Sequence, residues 1–115
     1  MDKSDENIYF FDPENRATKQ LIKGIMIRSF WGENLTLAVV DLDPNTVLPI
    51  HRHPNEQGGI ILDGEIEFTI ADQTRKLKAG DVYLIPGGVE HSVRSSDEPV
   101  RLLDIFSPVR EDMKY

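Results

Sequence analysis

The chain has 115 residues, a formal net charge of -7, 39% hydrophobic residues and no cysteine. That length holds one domain with one core. The acidic balance and the lack of any Lys/Arg run speak against a nucleic-acid partner, and the missing thiols exclude disulfides, thiolate metal sites and a cysteine nucleophile. Residues 1–7 are acidic and polar, which suits a disordered tail rather than a secretory signal, and no apolar stretch approaches membrane-spanning length. A cytoplasmic protein without a membrane partner, with one domain over residues 8–115, is the resulting expectation. In chain order, residues 14–23 form the best helix candidate but lack a wide apolar stripe, so no useful helix is expected. Residues 24–30 and 35–42 read as strands around a turn at 31–34. Asp43-Pro44-Asn45 is a strong turn, and 47–53 is extended, with Pro49 marking an edge or irregular entry. Segments 57–62 and 65–70 flank Asp63-Gly64, a dipeptide suited to a tight hairpin. Turns at 71–73 and 78–81 lead into strands at 75–77 and 82–85, and strands at 91–94 and 100–106 complete the chain. About ten short strands with almost no helix predict an all-β, closed or nearly closed structure.

The chain has three histidines. His51 and His53 are two apart on an extended segment, which turns both imidazoles to one face. His91 lies far along the chain, after Pro86-Gly87-Gly88, and reaches them only if the fold brings two strands together. Without cysteine, a metal held here takes nitrogen and oxygen ligands.

The spacings are specific. Asn45, His51, His53, Gln57 and Gly64 form one block; Gly80, Pro86, Gly88, His91 and Ser95 form a second. They resemble the paired motifs of the cupin superfamily, G-x5-H-x-H-x3-E-x6-G and G-x5-P-x-G-x2-H-x3-N. Asn45 stands for the first glycine, Gln57 for the glutamate ligand and Ser95 for the final asparagine. The resemblance implies a single-domain jelly-roll barrel, the double-stranded β-helix, holding one divalent transition metal (Ni, Zn, Mn or Fe) through His51, His53, Gln57 and His91. Glu56 is the rival oxygen donor, but one residue along a strand turns a side chain to the other face, which favours Gln57. An amide in place of a carboxylate leaves the site one charge more positive, which favours an anionic substrate.

The segment 103–112 and the block His51-Arg52-His53-Pro54-Asn55-Glu56-Gln57 are similar to those of the pectin-degradation cupins that linearise unsaturated uronates. That similarity implies an active site containing Asp104, Phe106 and Arg110, with Asp104 as general acid/base, Phe106 against the sugar ring and Arg110 on the uronate carboxylate. It also implies a small anionic sugar as substrate, in the breakdown of pectin or alginate, and a homodimer. Core packing for Phe106, a strand-end role for Asp104 and a solvated Arg110 are the bland readings of the same residues. Two other activities fit a three-histidine barrel: a metal-dependent dioxygenase, and a non-enzymatic sugar- or small-anion-binding protein. Phe10, Phe11, Phe30 and Trp31 could form a sugar-stacking platform or, more simply, core or dimer contacts. Arg28 and Arg52 are further candidates for meeting a carboxylate, although Arg52, between two inward histidines, is expected to point away from the metal.

Overall fold

The computed structural model describes residues 9–115; the expected tail at 1–7 lies outside the described residues. Among the described residues, ten antiparallel strands form two facing sheets. The first has the order β1-β2-β3-β10-β5-β8, from β1 (Lys19–Ile22), β2 (Ile25–Trp31), β3 (Thr36–Leu42), β10 (Val100–Ser107), β5 (Glu56–Asp63) and β8 (Val82–Ile85). The second has the order β4-β9-β6-β7, from β4 (Val47–His51), β9 (His91–Ser95), β6 (Glu65–Ile70) and β7 (Gln73–Lys78). The all-β expectation is met. Along β10, Leu102, Asp104 and Phe106 are buried while Ile105 is exposed, the period-two pattern of a sheet with one buried face. Ile25, Ile27, Leu42, Ile61, Ile66 and Ile85 are almost fully buried between the sheets. Burying each such side chain stabilises the fold by roughly 1.5–3 kcal/mol.

Two differences from the sequence reading have physical causes. The segment proposed as the best helix candidate holds a 3-10 turn at Pro13–Asn15 and then strand β1. β1 is a mostly exposed edge strand, so it carries little of the alternation that reveals a strand. Asp63-Gly64 does not close a hairpin: β5 and β6 belong to different sheets. Gly64 has φ +85°, and a Cβ there would lie 2.5 Å from the Pro99 carbonyl oxygen. Glycine serves there to pass the chain tightly from one sheet to the other rather than to reverse it. The tight hairpin is instead β6–β7, closed by Ala71-Asp72, with Ala71 at φ 54°.

The substituted motif positions hold their places. Asn45 adopts φ 55°, the left-handed conformation asparagine tolerates. The buried Ser95 hydroxyl accepts from the Thr46 N–H at 2.9 Å and donates to the Asp43 carbonyl at 2.6 Å. It thereby stitches β9 to the turn that starts β4.

Candidate metal centre and its pocket

The fold brings the three histidines together. β4 and β9 pair so that His51 faces His91 across the ladder. His53 lies two residues beyond the end of β4, in the loop to β5. That loop is fixed by the one carrying Pro86-Gly87-Gly88: the Gly88 N–H donates to the His53 carbonyl at 2.8 Å, and a Cβ on Gly87 would lie 2.3 Å from the Pro54 carbonyl. The ring centroids are 4.2 Å apart for His51 and His91, 4.9 Å for His53 and His91, and 6.0 Å for His51 and His53. One ring nitrogen from each lies within 4.8 Å of the others.

The backbone sets the tautomers. Nδ1 of His51, His53 and His91 lies 2.8, 3.0 and 2.9 Å from the carbonyls of Pro49, Asn55 and Val89. A carbonyl oxygen only accepts, so each Nδ1 carries a proton, which leaves Nε2 of each ring as the atom able to offer a lone pair. The buried Nε2 of His91 has no hydrogen-bond partner among the described residues. An orphan of this kind costs about 1–3 kcal/mol unless a ligand takes it up. Nε2 of His53 lies 2.9 Å from Oε1 of the buried Gln57, so two acceptors face one another. The Gln57 side chain also stabilises the Asp104 carboxylate, as an NH2 group on the Asp104 side does while its oxygen faces His53. A cation among these four donor atoms relieves both mismatches. Burial, aided by the Arg110 charge, lowers the pKa of His53, and burial takes that of His91 down to about 4. Both rings are thus neutral at pH 7, the form a metal requires. Three imidazoles and an amide suit a divalent transition metal. Glu56 is exposed on the opposite face of β5, as the parity argument expects, and Arg52 is exposed as well.

Asp104 is buried on β10 and accepts a hydrogen bond from the Tyr83 hydroxyl. The register explains how. Asp104, Gly59 and Tyr83 are cross-strand neighbours on β10, β5 and β8. Tyr83 crosses β5 over Gly59, which has no side chain to block it. Burial raises the Asp104 pKa to about 6, against the opposing pull of Tyr83, Gln57 and the Arg110 charge. The same burial drives the Tyr83 hydroxyl upward, so it is a donor. Sequence reasoning did not single out Tyr83. Its signals were a glycine in a strand interior, which marks a close approach, and the shared inward parity of Tyr83 and Ile85. A Cβ on Gly59 would sit 2.2 Å from the Tyr83 oxygen. Gly59→Ala is therefore expected to displace Tyr83 and lower stability by about 1–3 kcal/mol, read by denaturant unfolding; an unchanged midpoint would show that the phenol has room to move.

The cluster forms one wall of a cavity of about 190 Å³, with Asp104, Phe106 and Arg110 beside the histidines and with aliphatic walls from residues such as Ile27, Val40 and Leu102. Phe106 meets the edge of the His53 ring at 5.6 Å and carries the Arg110 guanidinium 4.9 Å from its centroid. Phe10, Phe11, Phe30 and Trp31 are absent from the cavity wall, and Phe11 stacks on Phe30 at 4.9 Å, a contact of the simpler, packing kind. Arg28 pairs with Asp41 at 2.9 Å, away from the cavity.

Comparison with known proteins agrees with this architecture. A family profile described as "Cupin domain" matches residues 38–106. The chain is 31% identical over 106 residues to the pectin degradation protein KdgF of Dickeya dadantii, covering 90% of this chain and 96% of that one. The solved structure of KdgF from Halomonas sp. superposes with a TM-score of 0.86 at 25% identity, over 92% of this chain and 98% of that chain. Quercetin 2,3-dioxygenase of Bacillus subtilis is 30% identical over 73 residues, which cover 63% of this chain and 22% of that protein. Two sheets closing over three convergent imidazoles and the profile match across both histidine blocks lead to one conclusion: the chain belongs to the cupin family.

Proposed function

We propose that the chain is a metal-dependent enzyme that opens the ring of a 4,5-unsaturated uronate monosaccharide to the open-chain 5-keto-4-deoxyuronate, in the breakdown of pectin or alginate. The observation that carries this reading is a buried carboxyl, Asp104, set in one cavity beside four convergent metal-donor atoms and the Arg110 cation. The match to a pectin degradation protein over nearly the whole of both chains supports it.

The chemistry is an isomerisation, so atoms balance without a co-reactant. Asp104 takes the proton of the anomeric hydroxyl; C1 becomes a carbonyl as its bond to the ring oxygen breaks. The electron pair stays on the ring oxygen as the enolate of C4 and C5. Asp104 returns the proton to C4, and C5 becomes the ketone. A carboxyl with pKa about 6 holds and releases a proton with similar ease near neutrality. Tyr83 and Gln57 orient it. Arg110 pairs with the uronate carboxylate, and Phe106 packs on the sugar ring and keeps water out. A cation held by His51, His53, Gln57 and His91 would supply Lewis acidity for the oxygen on which charge develops.

The test follows the ultraviolet absorbance of the unsaturated uronate with metal-loaded protein, with and without oxygen. Oxygen-independent loss of absorbance and formation of the ketone are the expected result. The match to quercetin 2,3-dioxygenase favours a second reading, a dioxygenase; turnover only in air would select it. Binding without turnover would select a sugar- or anion-binding role. Among the described residues no helix is long and apolar enough to cross a membrane.

The homodimer belongs to the same proposal, and the outer face of the first sheet supports it. Two cross-strand rows run there: Leu37, Ile105, Gly58 and Leu84, then Val39, Leu103, Ile60 and Val82. Val82 is 71% and Leu84 66% exposed, and neither row holds a charge. Contiguous apolar surface of this kind marks an interaction site. For two copies of a chain with net charge -7, a charge-free face keeps like charges out of the contact itself. The double variant Val82→Lys/Leu84→Lys is expected to be monomeric by light scattering while the wild type is dimeric; a monomeric wild type would contradict it.

A further inference from the structure

On the reading above, in which Arg110 receives the substrate carboxylate, we propose that Asp112 is a positioning residue that holds one edge of the Arg110 guanidinium so that the other is presented to the cavity. A guanidinium has two edges able to grip a carboxylate at two points. In Arg110 the Nε–Nη2 edge is occupied: Nε donates to Oδ1 of Asp112 at 3.0 Å and Nη2 donates to Oδ2 at 2.8 Å. Among the described residues Nη1 has no hydrogen-bond partner, so the Nη1–Nη2 edge is open to a second carboxylate.

Burial separates the two partners. The Arg110 side chain is 17% exposed and lines the cavity, whereas that of Asp112 is 62% exposed and does not. Asp112 therefore grips the guanidinium from the solvent side. The face of the group rests on Phe106. The main chain is pinned on both flanks: the Arg110 N–H donates to the Thr36 hydroxyl at 2.9 Å, Lys19 Nζ donates to the Asp112 carbonyl at 3.0 Å, and the buried Ser29 hydroxyl donates to the Met113 carbonyl. An ion pair this exposed adds little to stability. What it fixes is the rotation of a long, flexible side chain about its last bonds, which sets where the open edge points.

Loss of positioning is expected in binding rather than in turnover. Asp112→Ala should raise KM for the unsaturated uronate about tenfold and change kcat by less than about threefold. It should weaken calorimetric binding of galacturonate, a saturated uronate that cannot undergo the ring opening, by the same factor. Asp112→Asn, which keeps the shape but offers one acceptor oxygen, should fall between. In an Arg110→Ala background, Asp112→Ala should have no further effect, whereas a merely structural role would persist there. Unchanged or tighter galacturonate binding in Asp112→Ala overturns the proposal, as does an effect that survives in the Arg110→Ala background. If the wild type binds galacturonate but leaves the unsaturated uronate intact, the ring-opening reading falls and the galacturonate series alone decides the role of Asp112. If the wild type binds no galacturonate, the open edge is not a uronate site and this inference falls as well.

Discussion

Asp104→Asn is expected to lose about 10³-fold in kcat, in the range of a lost general acid/base, while the metal-free protein becomes more stable above pH 6. The two effects share one cause. Asp104 is buried, and its pKa is raised from 3.8 to about 6 chiefly by that burial. A carboxyl whose folded pKa lies above its unfolded value leaves the fold unaffected below about pH 4, where both states are protonated. As pH rises from about 4 to 6 the unfolded state ionises first, and stability falls. Above about pH 6 the loss is complete and amounts to about 3 kcal/mol. Asparagine has the same shape, still accepts from Tyr83 and never ionises. Denaturant unfolding of the metal-free proteins should show near-equal stabilities at pH 4 and a gain for the variant at pH 8. A variant that is no more stable at pH 8 would mean that Tyr83 and Gln57 satisfy the carboxylate fully. A variant with wild-type turnover would remove Asp104 from the chemistry.

His91→Ala is expected to weaken divalent-metal binding by more than about 100-fold, beyond the 10–100-fold typical of groups that merely support a ligand. His91 is the donor most committed to the site, since its Nε2 is buried and has no partner among the described residues. His51 lies nearer the surface and Gln57 is a neutral amide, so Gln57→Ala should cost less. Gln57→Glu should tighten binding, because a carboxylate adds Coulomb attraction to the cation. Competition against a metallochromic chelator ranks the variants; equal affinity in His91→Ala would show that the cation sits elsewhere.

Much of this site was legible in the sequence because its spacings are rigid. His51 ends β4, His53 follows in the loop and Gln57 faces inward by the parity of β5, so the motif spacing, with a second block at matching intervals for His91, marked the group although no single strand carries it. Asp104 was visible as a charged residue inside an apolar strand, which demands a partner. The partner was not visible. Tyr83 reaches Asp104 across a third strand, and strand order within a sheet leaves no mark in a single sequence. The same limit explains Asp63-Gly64. Its positive φ was readable, but whether such a glycine reverses the chain or carries it to the facing sheet depends on what packs against it, here the carbonyl of Pro99. β1 escaped notice for the opposite reason: an exposed edge strand has no buried face to impose a pattern. The role of Asp112 toward Arg110 was equally hidden, since a carboxylate two residues from an arginine near a chain end reads as a solvated charge.

On the proposed function, Nε2 of His51, His53 and His91 and Oε1 of Gln57 hold one cation. A crystal of zinc-loaded protein, measured on both sides of the zinc absorption edge, tests it most directly. The expected result is one anomalous peak per chain, at about 2.0–2.2 Å from each of those four atoms. A peak bound through Nδ1, a peak at Glu56, or no peak among the three imidazoles would contradict the account.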